Sequence, residues 1–165
     1  MTIDTDLAAR VRRLEDRALI SERVITYAVS VDRRDWALFE DCFTEQVRVD
    51  FGGTTAHLGR GELVAFVRAA LDGFTVTQHL SPNHVIEFDD DDEDRAVCHS
   101  YMYAQHRLDG SENGEFYLLR GSYTSFMRRT ADGGWRIEEM IQHRSWEEGN
   151  TGAVDEARAR VLDSA

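Results

Sequence analysis

One proline, Pro82, and no Gly/Ser-rich stretch interrupt the 165 residues, so nothing in the sequence reads as a linker between domains. No repeat of fixed period is present. Residues 1–165 read as one domain, with 147–165 a less regular tail. The two cysteines, Cys42 and Cys98, are too few for a disulfide framework. No apolar run approaches the ~18 residues a membrane span needs, and the first residues lack the apolar stretch of a signal peptide. Basic side chains are also scarce. Lys and Arg total 19 against 31 Asp and Glu, a net charge of -12, which disfavours nucleic acid and anionic lipid as partners. There is no HxH or HExxH pair, no Gly-rich phosphate loop and no Gly-x-Ser-x-Gly elbow, so neither metal nor cofactor is expected. These absences describe a reduced cytoplasmic protein.

What is present is a core-forming composition, 42% hydrophobic and 10% aromatic. Residues 7–32 show helical spacing through Leu14, Ala18, Val24, Ile25, Ala28 and Val31. A second helix is predicted over 35–43, with Asp35 as its N-cap, and a third over 61–72. Val47, Val49 and Phe51 alternate with polar residues in a strand that ends at Gly52-Gly53. Strand-like segments follow at 75–88, 95–108, 116–129 and 135–146, with turn signals at Asp90-Asp91, Asp109-Gly110 and Asp132-Gly133. A short helix is placed near 154–162. Helices first and hairpin-linked strands second is the α+β order. Strands of this length twist, so the sheet is expected to curl round the N-terminal helices and leave a ligand pocket.

Several polar residues sit where apolar ones are expected. Asp32 lies at the edge of the first helix's apolar stripe, near the negative end of the helix dipole. Lost hydration and the dipole both predict a raised pKa, making it a poised base or the partner of a cation. The alternative is a helix-end acid paired in water with Arg33 or Arg34. Tyr27, five residues earlier, reads either as core or as a hydrogen-bond donor. Of the six histidines, His79 ends an alternating stretch. His106 shares a strand face with Ala96, Cys98, Ser100, Met102 and Ala104, whose small side chains leave room for a pocket, while His99, Tyr101 and Tyr103 take the other face. The acidic run Asp89–Asp94 reads as a solvated loop, and Cys98 as an inert buried thiol.

The segments ITYAVSVDRRDWALFEDCFTEQVRVDF, TQHLSPNHVIEF, AVCHSYMYAQHR and GSYTSFMRRTADGGWRIEEMIQHRSWEEGN resemble the SnoaL-like branch of the nuclear-transport-factor-2-like superfamily, over roughly residues 10–150. The resemblance implies a cone-shaped α+β barrel, with N-terminal helices in the concave face of a curved, mostly antiparallel sheet. Within that branch the chain resembles enzyme types that eliminate or isomerise without cofactor. The scytalone dehydratase motif falls on Ser30-Val31-Asp32 and Asp35-Trp36, with its histidines on His79 and His106; its two water-positioning tyrosines fall on Val31 and Phe51. The aspartate and histidine of lindane dehydrochlorinase fall on Asp32 and His79, but its lysine falls on Tyr27 and its arginine near Met140. The Tyr, Asp and His of bile acid 7α-dehydratase match Tyr27, Asp32 and His79.

The implied site is therefore Asp32, His79, Tyr27 and His106. His79 would act as base, and Asp32 would orient it. Tyr27 would donate to a developing oxyanion, and His106 would protonate the leaving group or bind substrate. The implied reaction is a dehydratase- or cyclase-type lyase or isomerase step on a small cyclic carbonyl compound, such as a polyketide or steroid-like metabolite. Two other roles share this fold: a non-catalytic binding or assembly module, and the small subunit of a ring-hydroxylating oxygenase. Exposed sheet surface leads us to expect a homodimer or homotrimer.

Overall fold

The computed structural model describes residues 2–163. The chain opens with the long helix α1 (Thr2–Arg33) and the short α2 (Trp36–Asp41). Strand β1 (Phe43–Phe51) and β2 (Thr55–Gly59) precede α3 (Arg60–Leu71). Then come β3 (Val76–Leu80), β4 (Val85–Phe88), β5 (Arg95–Arg107), β6 (Phe116–Arg129), β7 (Trp135–Gly149) and α4 (Ala153–Asp163). Asp35 caps α2 as expected, its carboxylate accepting the Leu38 N–H at 3.1 Å. The helix is shorter than predicted, because Phe43 already belongs to β1.

Among the described residues, seven strands form one mixed, curled sheet in the order β2-β1-β7-β6-β5-β3, with β4 also on β5. Only the β1–β7 pairing is parallel. The architecture is α+β, but the sheet is open rather than a closed barrel, since β2 and β3 are its edges. Two strand expectations need correction. The predicted strand 75–88 is two strands, β3 and β4, laid end to end along one edge of the long β5. Pro82 removes a donor and Asn83 adopts φ 63°, while the Pro82 carbonyl accepts the Tyr101 N–H at 2.9 Å and keeps the joint on the sheet. Strand β2 was not foreseen. It returns antiparallel to β1 through Gly52 and Gly53, at φ 67° and 93°, angles that an L side chain rarely adopts.

The core lies between the inner face of the sheet and one side of α1. Val24, Ala28 and Val31 are buried there, but Leu14, Ala18 and Ile25, assigned above to the same stripe, are exposed. Helix α1 thus carries two apolar stripes, and the sheet covers only one. Its inner stripe is anchored by Asp16, which is 5% exposed and accepts from Arg129 at 2.6 and 2.8 Å and from the Trp135 indole at 3.0 Å. The predicted tail helix is part of the fold: Ala153 and Ala157 are buried in the core. Gly73 permits this, because a Cβ there would meet the Ala157 carbonyl oxygen at 2.0 Å. Residues 89–94 form the β4–β5 loop as expected, although Asp92 and Asp94 pair with Arg128 and Arg129. No helix among the described residues is long and apolar enough to cross a membrane.

Candidate active site

The C-terminal end of α1 delivers Asp32 to strand β3. There the alternation of a strand turns Thr77 and His79 inward together. Both Asp32 oxygens are engaged. Oδ1 accepts from Nδ1 of His79 at 2.7 Å and from the Thr77 hydroxyl at 2.9 Å, and Oδ2 accepts the His79 backbone N–H at 2.7 Å. The helix stops immediately afterwards. Arg34 takes a left-handed φ of 56°, Asp35 N–H reaches back to the Ser30 carbonyl at 3.0 Å, and Arg34 N–H reaches Val31 at 3.2 Å. The Arg34 guanidinium then donates to the Val31 carbonyl at 2.6 Å, the Leu71 carbonyl at 2.8 Å and the Thr77 hydroxyl at 2.9 Å. With Arg34 donating to it, the Thr77 hydroxyl directs its own proton to Asp32. An unfavourable backbone angle is held by three hydrogen bonds, and the chain Arg34–Thr77–Asp32–His79 follows.

Asp32 departs from the sequence expectation. Burial does push its pKa up, and it is the largest single influence. Hydrogen bonds from the His79 ring, the His79 backbone and Thr77, together with the His79 charge, outweigh it, so the pKa is lowered. Asp32 is therefore an ionised acceptor rather than a proton-holding base. Because a carboxylate cannot donate, Nδ1 of His79 must carry the proton. In the neutral ring Nε2 then carries the lone pair, and no described residue hydrogen-bonds it. The His79 side chain is 9% exposed and that of Asp32 21%, so the pair sits just beneath the surface.

His106 faces His79 from β5, one strand away. The two rings meet edge to face at 5.3 Å, and His106 also contacts the rings of Phe74 and Tyr117 at 4.9 and 5.2 Å. Its Nδ1 donates to the Tyr117 carbonyl at 3.4 Å, a long bond. Burial, helped by the His79 charge, pushes His106 down to about 3, so the imidazole is neutral at physiological pH. It can position a polar group, but it does not hold the charge of a cationic acid. The folded pKa lies below the unfolded one, so the linked stability is fully present above pH 6.5 and is lost as pH falls toward 3. Urea unfolding should show stability falling by up to about 1.4 kcal/mol per pH unit from this group in that window. His106→Phe should flatten the slope by that amount; an unchanged slope would place the titration elsewhere.

Of the four residues proposed from sequence, Asp32, His79 and His106 meet in one cluster. Tyr27 does not contact it. Tyr27 belongs to an aromatic core with Phe39, Phe43 and Tyr123, at ring distances of 5.6, 6.0 and 5.8 Å. Complete burial, with Tyr123 adding to it, holds its pKa well above the ordinary tyrosine value. Asp32 adds only the smallest of these influences, so Tyr27 is a protonated core residue. Thr77 was missed, although the Thr77/His79 alternation was a usable signal; Arg34, named above as an alternative partner of Asp32 in water, reaches it through the Thr77 hydroxyl instead.

The small-residue face of β5 is packed rather than open, since Ala96, Cys98, Ser100, Met102 and Ala104 are each at most 3% exposed. The Ser100 and Ser125 hydroxyls on this inner face have no hydrogen-bond partner among the described residues, an arrangement that costs about 1–3 kcal/mol per group. Cys98 is buried, and its thiol is pushed up to about 11 by desolvation, which makes it a poor nucleophile. A cleft of about 640 Å³ lies on the outer face of the sheet by Arg48, His57, Glu87, Val97, Phe126 and Glu139, and contains none of the four candidates. Among the described residues no group of three or more His, Cys, Asp or Glu is arranged to hold a metal ion.

Fold and cluster together define a curled-sheet α+β protein with an Asp–His pair at the end of its first helix. The SnoaL-like domain family matches residues 12–141, and the chain belongs to it. A protein of Kribbella flavida superposes with a TM-score of 0.77 at 28% identity, over 88% of this chain and 99% of its own. A scytalone-dehydratase-like protein of Novosphingobium aromaticivorans superposes at 0.74 with 20% identity, over 85% and 91%. A hexachlorocyclohexane dehydrochlorinase of Novosphingobium barchaimii superposes at 0.71 with 20% identity, over 87% and 95%. At 20% identity the last two show a shared fold. No curated protein matches the sequence significantly.

Proposed function

We propose that the chain is a cofactor-independent lyase or isomerase of the dehydratase or cyclase type, acting on a small cyclic carbonyl metabolite such as a polyketide or steroid-like compound. One observation carries this reading: an ionised, doubly anchored Asp32 fixes the Nδ1–H tautomer of His79 and leaves Nε2 as a base. In the reaction, Nε2 removes the acidic proton next to the carbonyl, and the resulting imidazolium is stabilised by Asp32. The carbonyl oxygen gains the enolate charge. When the enolate collapses, the adjacent C–O bond breaks, and the hydroxyl leaves as water with the proton carried by His79. The Asp32 carboxylate and the neutral His79 ring are thereby restored. Neutral His106 supplies a hydrogen bond to a substrate oxygen. The family and the dehydratase- and dehydrochlorinase-type structural relatives support this class of chemistry.

Native mass spectrometry of wild type and His79→Ala, each purified from the protein's own host, tests the reading. The expected result is a small molecule retained by the variant and found with wild type only in converted form. The same molecule bound unchanged by both proteins would make the chain a binding module and overturn the assignment.

A further inference from the structure

The outward side of α1 is built to pair with another helix. Every residue from Asp6 to Glu15 is exposed, although the Arg13 guanidinium lies over the Phe88 ring at 4.0 Å. Five exposed apolar residues of α1 fall on one line: Leu7 is 54% exposed, Val11 44%, Leu14 67% and Ile25 49%, with exposed Ala18 between them, while Leu19, 42% exposed, lies off it. Their spacing of four, three, four and seven is that of a heptad seam. In that frame Val11, Ala18 and Ile25 occupy the a positions, and Leu7, Leu14 and Ser21 the d positions. The seam lies on the side of α1 turned away from Ile20, Val24 and Val31, so a second helix can reach it without disturbing the core.

We propose that this seam binds the same seam of a second copy of the chain, in a parallel two-stranded coiled coil running from Leu7 to Ile25. Three features select that occupant and geometry. β-branched residues at a with leucine at d favour two strands over three or four. The flanking positions are charged and self-complementary: Arg10 and Arg17 at g, Glu15 and Glu22 at e, all exposed. In a parallel pair each g residue faces the e residue of the next heptad of the other helix. Arg10 then meets the second copy's Glu15, and Arg17 meets its Glu22, on both sides of the seam. An antiparallel pair would set arginine against arginine and glutamate against glutamate. Arg17 already donates to the Ile86 carbonyl at 3.1 Å, and its remaining donors are available for the intermolecular pair. Ser21, at the last d position, bonds His84 at 2.7 Å; with Ala18 it makes the C-terminal half of the seam thin, so the two helices approach closely there.

Sedimentation and light scattering of the full chain at tens of micromolar test this. Wild type is expected at twice 18.9 kDa. Leu14→Glu, at a residue outside the core, should weaken association by on the order of 100-fold or more, because each dimer loses two buried leucines, while the circular dichroism of the sheet persists. Two charge variants probe direction. A chain with Arg10→Glu and Arg17→Glu, and a chain with Glu15→Arg and Glu22→Arg, should each be monomeric alone and form a one-to-one dimer when mixed. A monomeric or trimeric wild type would overturn the proposal. So would a dimer that survives Leu14→Glu, or charge variants that fail to combine although each is folded.

Discussion

His79→Ala is expected to lower turnover by roughly 10²–10⁴-fold, the usual contribution of a positioned general base, with a smaller change in KM. Asp32→Asn keeps the volume of the carboxylate but removes its charge. The new side chain still has one carbonyl oxygen for Thr77 or the His79 backbone. That oxygen cannot serve both the Nδ1 side and the His79 backbone N–H, and it carries no charge to offset an imidazolium, so a loss of about the same order is expected. The double variant should be little worse than either single one, because the two groups act as a unit. Circular dichroism and thermal unfolding separate this from misfolding: His79 lies at a sheet edge just below the surface, and its loss should leave the fold intact. Unchanged turnover in both single variants would end the assignment of acid–base chemistry to this pair.

The largest stability effect is expected far from that site. Asp16→Ala leaves the Arg129 guanidinium without its bidentate partner and the Trp135 indole N–H without an acceptor, in a position that is 5% exposed. Breaking one side of a buried pair costs about 3–5 kcal/mol. In a domain of this size that is a fall in Tm of about 6–20 °C. Arg129 also lies over the Trp135 ring at 4.5 Å and pairs with Asp94 at 3.0 Å, so part of its orientation survives. The pH dependence has a definite sign. The Arg129 hydrogen bonds hold the Asp16 carboxyl below the ordinary aspartate value against the opposing effect of burial. The stabilisation is therefore present above pH ~4 and is lost as pH falls through the depressed folded value. Wild type and Asp16→Ala should converge in acid; a gap that stayed constant would mean the loss is one of packing rather than charge.

Much of the framework was legible because it rests on local rules. The two-residue period of 95–108 correctly divided inner Cys98, Met102 and Ala104 from outer Tyr101 without any knowledge of neighbours. Asp35 caps its helix because a short oxygen-bearing side chain in that position meets the N–H groups of the next turn. The site was half legible. Family resemblance brought Asp32 to His79, and the structure places them 2.7 Å apart. It also grouped Tyr27 with them, and the structure packs that ring among Phe39, Phe43 and Tyr123 instead.

The remaining features depend on groups that are distant in the chain. A period of three and four residues states that α1 is amphipathic; it does not state which of two apolar stripes a sheet will cover. Leu14, Ala18 and Ile25 were therefore read as one stripe with Val24, Ala28 and Val31, and lie outside the core. The proton affinity of Asp32 is a sum over what surrounds it. Lost hydration and the helix dipole could be read from its place in the helix, but Thr77 and His79 arrive from 45 and 47 residues away and reverse the result. The same holds for His106, made neutral by Phe74, Tyr117 and His79 closing around it. Hydrophobic period and turn chemistry act over a few residues and survive in one dimension. Burial and electrostatic fields act through space, and the folded chain alone assigns them.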